Sequence, residues 1–347
     1  MQKRIEWIDI CKGIAILLVI IGHSGLTTGF AFDVKKLIYS FHMPLFFIIS
    51  GYLFKKSTTK EFKLLDFIYK KIKSLVIPYF SFNIIFLALD ICKSIITGES
   101  IKLLNEILGI FVPIRNNVYV GVAWFLIWIF VTEILYYFLV FVLKKDSTVN
   151  IVSVLLYFIG FILIKHNIVL PYHIDAALIS IVFYNFGNQL KKYELKFINV
   201  KCIYFYIFIF IIFFLINNFV IKQLYGSNVT LDIYERNLSY PIIYLLVSIS
   251  GSLIIILISK IIKFSTLKKI FKLFGYNSLC IYGFHTLINY IIMPILKIMN
   301  ITSGNVAIEI IRSTIIVLCC FGLLPLCKLI EKNIPFMFGY KGVKNER

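Results

Sequence analysis

Charge is scarce in this sequence, and acidic charge most of all. Only 15% of the 347 residues are charged, with 17 Asp and Glu against 36 Lys and Arg. Together with the chain length, this composition excludes a disordered chain and a small disulfide scaffold. No CxxC pair and no Cys/His pair at zinc spacing occurs, so we predict neither a metal site nor a structural disulfide. We expect the seven cysteines to behave as small buried hydrophobes: Cys11, Cys92, Cys202, Cys280, Cys319, Cys320 and Cys327.

Apolar residues dominate the sequence instead. Hydrophobic residues make up 60% of the chain and aromatic residues 17%, and the mean hydropathy is +0.91, whereas a soluble domain is about 45–50% apolar. A bilayer core of about 30 Å takes about 20 apolar residues per helix. The sequence therefore predicts an all-α polytopic membrane bundle of about ten helices. The predicted spans are 8–30, 36–54, 75–96, 118–143, 149–164, 174–189, 202–221, 241–262, 277–297 and 308–330.

The basic residues cluster between these stretches in a pattern that indicates topology. The formal net charge is +19, but no nucleic-acid motif accompanies it, so membrane lipid and not nucleic acid is the expected partner. If the N-terminus is cytoplasmic, the inside segments hold 25 Lys and Arg and the outside segments hold 8. This bias predicts that both termini are cytoplasmic. Because the loops are too short for a soluble domain, we predict a single integral-membrane domain over 1–347, multi-pass in a bacterial plasma membrane.

The first predicted span carries three ionisable side chains, which are costly in hydrocarbon and therefore functional candidates. Lys12 and His23 are eleven residues apart, about 1,100° of helical rotation, so they share one face. Their axial separation of about 16 Å puts Lys12 near the cytoplasmic end and His23 near mid-membrane. Asp9 lies three residues before Lys12 and can pair with it. The alternative is a buried ion pair plus a structural histidine, but Ser24 and the glycines beside His23 allow a ligand to approach closely.

The second predicted span has a histidine near its outer end. His42 precedes Pro44, which kinks or restarts a helix. A second imidazole beside His23 can orient the first, share its proton or hold an acceptor hydroxyl. His42 can equally be an interfacial residue that caps backbone carbonyls, and the sequence leaves both interpretations open.

These residues resemble the acyltransferase family 3 of integral-membrane acyltransferases. The family signature is Arg or Lys, ten residues, then His in the first transmembrane helix, which is the spacing of Lys12 and His23. The resemblance continues through Phe41-His42-Met43-Pro44-Leu45-Phe46-Phe47 and Ser50-Gly51-Tyr52, then thins to Trp124-Phe125-Leu126 and to Ser278-Leu279-Cys280-Ile281-Tyr282 with His285. The branch it looks most like modifies cell-surface polysaccharides, including fucose 4-O-acetyltransferase-like and intercellular-adhesion polysaccharide enzymes. A ten-helix layout is also what this resemblance implies.

The resemblance implies transfer of a short acyl group, most often acetyl, from cytoplasmic coenzyme A to a glycan hydroxyl. We therefore expect acetyl-CoA as donor, a cell-surface or lipid-linked glycan as acceptor, and no metal. Coenzyme A is highly anionic, so its nucleotide must stay at the basic inner face while its pantetheine arm reaches inward. We expect Lys12, Arg4, Lys55 and Lys56 to bind it there. Each of these lysines can instead serve positive-inside topology alone.

His23 is the predicted general base, because the pKa of imidazole suits removal of a hydroxyl proton during attack. His42 and Asp9 complete the predicted catalytic set. The predicted substrate pocket comprises Ser24, Ser50, Trp124, Glu133, Tyr282 and His285. Trp124 and Glu133 can also be packing residues. The sequence has no nucleophile elbow or paired Ser/Cys motif, so it does not decide between direct transfer and an acyl-enzyme.

Two other functions are compatible with many helices and a basic inner face. A transporter would have internal pseudo-symmetry and broken helices in matching halves, and the sequence has neither. A polysaccharide-export partner without acyltransferase activity is the other alternative. Binding of coenzyme A separates both from an acyltransferase, since neither requires it.

Overall fold

A computed structural model describes residues 5–55, 64–98, 100–114, 123–193, 200–299, 301 and 305–338. Within these ranges the regular structure is helical, apart from an isolated β-bridge between Asp232 and Asn237. The α-helices are α1 (Glu6–Gly22), α2 (Gly29–Tyr39), α3 (His42–Leu53), α4 (Leu64–Lys71), α5 (Ile77–Thr97), α6 (Leu103–Phe111), α7 (Trp124–Leu143), α8 (Asp146–Lys165), α9 (Ile174–Lys192), α10 (Ile203–Tyr225), α11 (Pro241–Ile261), α12 (Ser265–Tyr276), α13 (Ser278–Ile298) and α14 (Val306–Asn333). A π-helical turn, Ile72–Val76, joins α4 to α5.

The all-α membrane architecture predicted from hydropathy is confirmed. Eight helical stretches in the described part of the chain are long and apolar enough to cross a bilayer. They are Gly29–Leu53, Leu64–Thr97, Trp124–Leu143, Asp146–Lys165, Ile203–Tyr225, Pro241–Ile261, Ser278–Ile298 and Val306–Asn333. The chain is therefore a polytopic helical membrane protein.

Two of the ten predicted spans differ from these eight. The first, 8–30, is interrupted at Gly22, so α1 has only 17 residues. The sixth, 174–189, corresponds to α9, whose last two turns carry Asn185, Asn188 and Gln189. Both segments are helical, but one is short and the other polar at its end. The first five positions of the span predicted over 118–143 lie outside the described residues.

The chain divides into two compact units, and the first contains the described residues of 5–53 and 186–327. In it, α1 packs against α2, α3, α11, α12 and α13. The approach of α1 to α12 is close because both helices present glycine there. A β-carbon on Gly13 would overlap the backbone of Phe271, and one on Gly275 would overlap the backbone carbonyl of Asp9. The small residues thus allow backbone-to-backbone contact between the two helices.

The second unit contains the described residues of 54–185 together with 328–338. Aromatic side chains form much of its core, including Phe54, Phe67 and Tyr184. Lys71, at the end of α4, forms an ion pair with Glu133 of α7, with 2.7 Å between Nζ and Oε2. Glu133 is only 3% exposed, so this ion pair compensates a carboxylate in apolar surroundings.

The prediction that the chain has no disulfide is wrong. Cys280 of α13 and Cys327 of α14 are disulfide-bonded, with their Cα atoms 5.9 Å apart. The two residues are separated by 47 positions, and the packing of their helices brings them together. Sequence spacing carries no sign of such a contact, which is why the pair was missed. The described part of the chain has five free cysteines.

Candidate functional site

His23 is the residue that caps the C-terminal end of α1. Its backbone N–H donates to the carbonyl of Val19 at 3.0 Å, so the ring projects from a fixed backbone position. The side chain is exposed, and neither ring nitrogen has a hydrogen-bond partner among the described residues. The chain then turns at Gly25, whose φ of 84° is readily adopted only by glycine. An accessible imidazole therefore stands at the end of a rigid helix.

A second histidine, His285 of α13, faces this ring. The centroids of the His23 and His285 rings are 5.5 Å apart. His285 is fully buried, and its Nδ1–H donates to the carbonyl of Tyr282 at 2.6 Å. This bond leaves the lone pair of the neutral ring on Nε2, and Nε2 has no hydrogen-bond partner in the described chain. One turn later, Asn289 donates to the backbone carbonyl of His23 at 3.1 Å.

The third histidine, His42, begins α3 and is buried. Its Nδ1 lies 2.9 Å from the carbonyl of Ile38 and donates to it, which again leaves the lone pair on Nε2. The ring of Tyr39 is close to both the His42 ring and the His23 ring. Its centroid is 4.9 Å from that of His42 and 6.0 Å from that of His23. The rings of His23, Tyr39, His42 and His285 thus form one cluster, hereafter the histidine cluster.

The turn that follows His23, residues 24–28, is held by α14. Glu309 accepts hydrogen bonds from the Thr27 N–H at 2.8 Å, the Thr27 hydroxyl at 2.5 Å and the Thr28 N–H at 3.0 Å. Arg312 donates to the carbonyls of Ser24, at 3.0 Å from Nε, and Gly25. Since Thr28 is the N-cap of α2, α14 fixes both the end of α1 and the start of α2. Its two buried charged side chains therefore hold the helices that carry the histidine cluster.

The histidine cluster combines an accessible imidazole with two buried ones of fixed tautomer. The Nδ1–H groups of His42 and His285 each donate a hydrogen bond to a backbone carbonyl. Their Nε2 atoms are then acceptors, which favours a proton or positive charge arriving on a neighbouring group. His23 is the neighbour of His285 and the exposed member of the set. The arrangement suits removal of a ligand proton by His23. The acceptor Nε2 of His285 would then stabilise the positive charge that forms on the His23 ring.

The predicted residues near His23 have different surroundings. Ser24 is buried, and its hydroxyl donates to the carbonyl of Ile21 at 2.7 Å, so it is used within the turn. Tyr282 contributes its carbonyl to His285, and its ring centroid lies 6.0 Å from that histidine. Ser50 is half-buried on α3. Tyr282 and His285, both predicted as pocket residues, therefore lie at the histidine cluster.

Asp9 and Lys12 lie near the opposite end of α1 from His23. Both are half-buried, and the rise of a helix places Lys12 about 16 Å from His23. Glu6, one turn earlier, pairs with Lys268 at 2.6 Å and Lys272 at 3.0 Å, both on α12. Hydrogen bonds from these lysines hold the pKa of Glu6 below its ordinary value. This end of α1 therefore lies beside the lysines of α12.

Trp124 and Glu133 belong to the second unit, where each has local partners. Trp124 stacks on Trp128 at a centroid distance of 5.0 Å and lies 5.6 Å from the ring of His173. Glu133 forms the ion pair with Lys71. These contacts favour the packing interpretation of both residues over a pocket role.

Of the predicted donor-binding residues, Lys55 is exposed and also belongs to the second unit. Arg4 and Lys56 lie outside the described residues. The prediction that these residues bind coenzyme A stays a prediction.

Neither Tyr39 and Asn289 nor the contacts of Glu309 and Arg312 to the turn were predicted from the sequence. A signal for the first two exists: Tyr39 lies three residues before His42, and Asn289 lies four residues after His285, so each shares a helical face with a histidine. For Glu309 no signal exists, since its partners Thr27 and Thr28 are more than 280 residues away in sequence.

The fold and the histidine cluster define a polytopic membrane protein with a polar site between its helices. A family model described as an acyltransferase domain matches residues 5–331, and the chain therefore belongs to the acyltransferase family 3 that its first two spans resemble. It is a multi-pass membrane acyltransferase by family. Searches of curated proteins and of solved structures found no match.

Proposed function

We propose that the protein transfers an acetyl group from cytoplasmic acetyl-CoA to a hydroxyl of a cell-surface or lipid-linked glycan, in a bacterial plasma membrane. His23 is the general base. The observation that carries this proposal is the exposed His23 ring, fixed at the end of α1 and 5.5 Å from the buried ring of His285. The similarity of the first two spans to polysaccharide-modifying members of the family supports a glycan acceptor.

We propose that the acetyl group is transferred directly from the thioester to the sugar. His23 takes the proton of the sugar hydroxyl while the hydroxyl oxygen attacks the thioester carbonyl carbon, forming a C–O bond. The tetrahedral intermediate collapses, the C–S bond breaks, and the imidazolium of His23 returns the proton to the coenzyme A thiolate. During this step the nearby Nε2 lone pair of His285 stabilises a positive charge on His23 that is absent in the ground state, which favours the transition state.

The donor is proposed to bind at the charged end of α1. Lys12 lies there, and α12, which packs on α1, carries Lys268, Lys269 and Lys272. Basic side chains suit the phosphates of coenzyme A. The distance of about 16 Å from Lys12 to His23 along the helix is on the order of the length of a pantetheine arm. The thioester can therefore reach His23 while the nucleotide stays at the basic end.

The proposal is tested with purified protein in lipid nanodiscs, incubated with acetyl-CoA and bacterial glycan fractions, by following acetylated product. We expect His23→Ala and His23→Gln to lower kcat by about 10²–10⁴-fold, the usual contribution of a general base. Coenzyme A binding, measured by calorimetry, should persist in both variants. The matched control is His166→Gln, since His166 is an exposed cap residue of α8 in the second unit. Unchanged turnover by His23→Ala would overturn the proposal, and absent coenzyme A binding by the wild type would favour a transporter or export partner.

A further inference from the structure

We infer that Lys35, Tyr39 and Asp232 form the subsite that binds the acceptor, and that this subsite selects an uncharged sugar. The inference rests on the proposed function and adds a location and a substrate class to it. It is carried by three polar groups beside the histidine cluster that have unused hydrogen-bonding capacity.

Tyr39 brings the subsite into contact with the histidines. Its ring centroid lies 4.9 Å from that of His42 and 6.0 Å from that of His23. The side chain is half-buried, and its hydroxyl makes no hydrogen bond to a described residue. A ligand that hydrogen-bonds this hydroxyl is therefore held within a few ångströms of the proposed base.

Lys35 lies one turn before Tyr39 on the same face of α2. Its Nζ is 5.3 Å from the centroid of the Tyr39 ring. Among the described residues this half-buried ammonium has no salt bridge and no hydrogen bond. The adjacent Lys36 differs, because its Nζ is paired with Asp33 at 2.7 Å. Of the two neighbouring lysines, Lys35 is thus the one with all three donors available to a ligand.

Asp232, in the segment between α10 and α11, is close enough for its charge to act on both Lys35 and Tyr39. One carboxylate oxygen accepts the N–H groups of Tyr234 at 2.8 Å and Glu235 at 3.3 Å. The other makes no hydrogen bond within the described chain. A donor and an aromatic hydroxyl thus lie together beside the histidine cluster, and a carboxylate oxygen is available in the adjoining segment.

The segment that carries Asp232 is ordered by its own contacts. The backbones of Asp232 and Asn237 exchange two hydrogen bonds of 2.9 Å. The hydroxyl of Tyr225, at the end of α10, donates to the carbonyl of Leu238 at 3.2 Å. Asp232 is thus held in place before any ligand arrives, which reduces the entropy lost on binding.

The subsite holds charges of both signs, and this decides the class of ligand. Lys35 is basic, and the acidic Asp232 and Glu235 act on Tyr39 from the neighbouring segment. An anionic sugar would meet the two carboxylates, whereas an uncharged sugar meets groups that can each bind a hydroxyl. Burial raises the pKa of Asp232 to about 6, so its carboxylate is charged at pH 7.5. The charge bias of the sequence also assigns Lys35 and the segment of Asp232 to the outer side, where a cell-surface acceptor is available.

The test uses full-length protein in nanodiscs at pH 7.5 with acetyl-CoA and two acceptor probes. These are p-nitrophenyl β-N-acetylglucosaminide, which is uncharged, and p-nitrophenyl β-glucuronide, which is anionic. We expect the wild type to prefer the uncharged probe. In Lys35→Gln, Asp232→Asn and Tyr39→Phe we expect the KM for that probe to rise about tenfold or more, since each variant removes a hydrogen bond involving a charged or partly buried group. The KM for acetyl-CoA should change less than twofold.

Lys36→Gln is the matched control and should leave all constants within twofold of wild type, because its ammonium is already paired. Equal effects of Lys35→Gln and Lys36→Gln, an unchanged acceptor KM in the three variants, or preference for the glucuronide would overturn the subsite while leaving the proposed function standing. Absence of acetyl transfer by the wild type to either probe would refute both.

Discussion

At the scale of single residues, His285 shows how burial and one hydrogen bond define a role. The Nδ1–H is committed to the carbonyl of Tyr282, and Nε2 is buried without a partner in the described chain. Leaving a buried acceptor unsatisfied costs about 1–3 kcal/mol. Such a cost is acceptable where the group acts during the reaction. In the proposed reaction the ring of His23, whose centroid is 5.5 Å from that of His285, gains a positive charge during proton transfer.

This role predicts the behaviour of His285→Asn. The asparagine can still donate to the carbonyl of Tyr282, but it has no atom in place of Nε2. We expect kcat to fall about tenfold or more, because a hydrogen bond to a charged group contributes about 1.5–3 kcal/mol, with little change in the KM for acetyl-CoA. The measurement is the pH profile of kcat in nanodiscs, with His166→Asn as the control. A wild-type profile in His285→Asn would assign the residue to packing alone.

At the scale of helices, the contact between α1 and α12 sets the position of the site. The two backbones touch at Gly13 and Gly275, and α12 also binds Glu6 through two lysines. The charged end of α1 is thereby attached to α12, while its other end is attached to α14 through the turn of residues 24–28. Because both ends are fixed, the position of His23 follows from the length of α1.

Gly275→Ala tests this contact. The new methyl group would overlap the carbonyl of Asp9, so the helices must separate. We expect a lower midpoint of thermal unfolding in detergent and loss of activity, since overpacking typically costs about 1–3 kcal/mol. Gly322→Ala is the control, because nothing lies within 4 Å of a β-carbon at that position of α14 and alanine favours a helix by about 1 kcal/mol. If the two variants have equal midpoints, the close contact of α1 and α12 is refuted.

At the scale of the whole molecule, hydropathy predicted a large part of the fold, and one spacing indicated the residue on which the proposed function rests. The eight long apolar helices follow from composition, because each must satisfy its backbone inside lipid. His23 followed from its eleven-residue distance to Lys12. The proximity of His285 to His23 and the hydrogen bonds from Thr27 to Glu309 could not be predicted in this way, because each contact joins residues more than 260 positions apart. Trp124 and Glu133 were predicted as pocket residues because they are an aromatic and a charged residue within a span. In the structure, Trp124 stacks on Trp128 and Glu133 pairs with Lys71, both within the second unit.

Topology is the prediction that belongs to this scale. The distribution of Lys and Arg predicts cytoplasmic termini, which places the turn of residues 226–240 outside. We expect green fluorescent protein fused after residue 347 to fluoresce, and alkaline phosphatase inserted within 226–240 to be active. Phosphatase inserted at 262–264, between α11 and α12, should be inactive. Reversed activities at the two insertion sites would refute the predicted orientation.

The short length of α1 has a consequence for the fate of the thioester. Seventeen residues extend about 25 Å, against about 30 Å of hydrocarbon. If α1 stands upright with Glu6 at the inner boundary, His23 therefore lies about 5 Å from the opposite boundary, closer to it than the mid-membrane position expected from the sequence. If acetyl transfer takes place at His23 as proposed, water from that side competes with the sugar for the thioester carbonyl. We then expect slow release of free acetate when no sugar is present, and an acceptor bound at the subsite should suppress this release by displacing water.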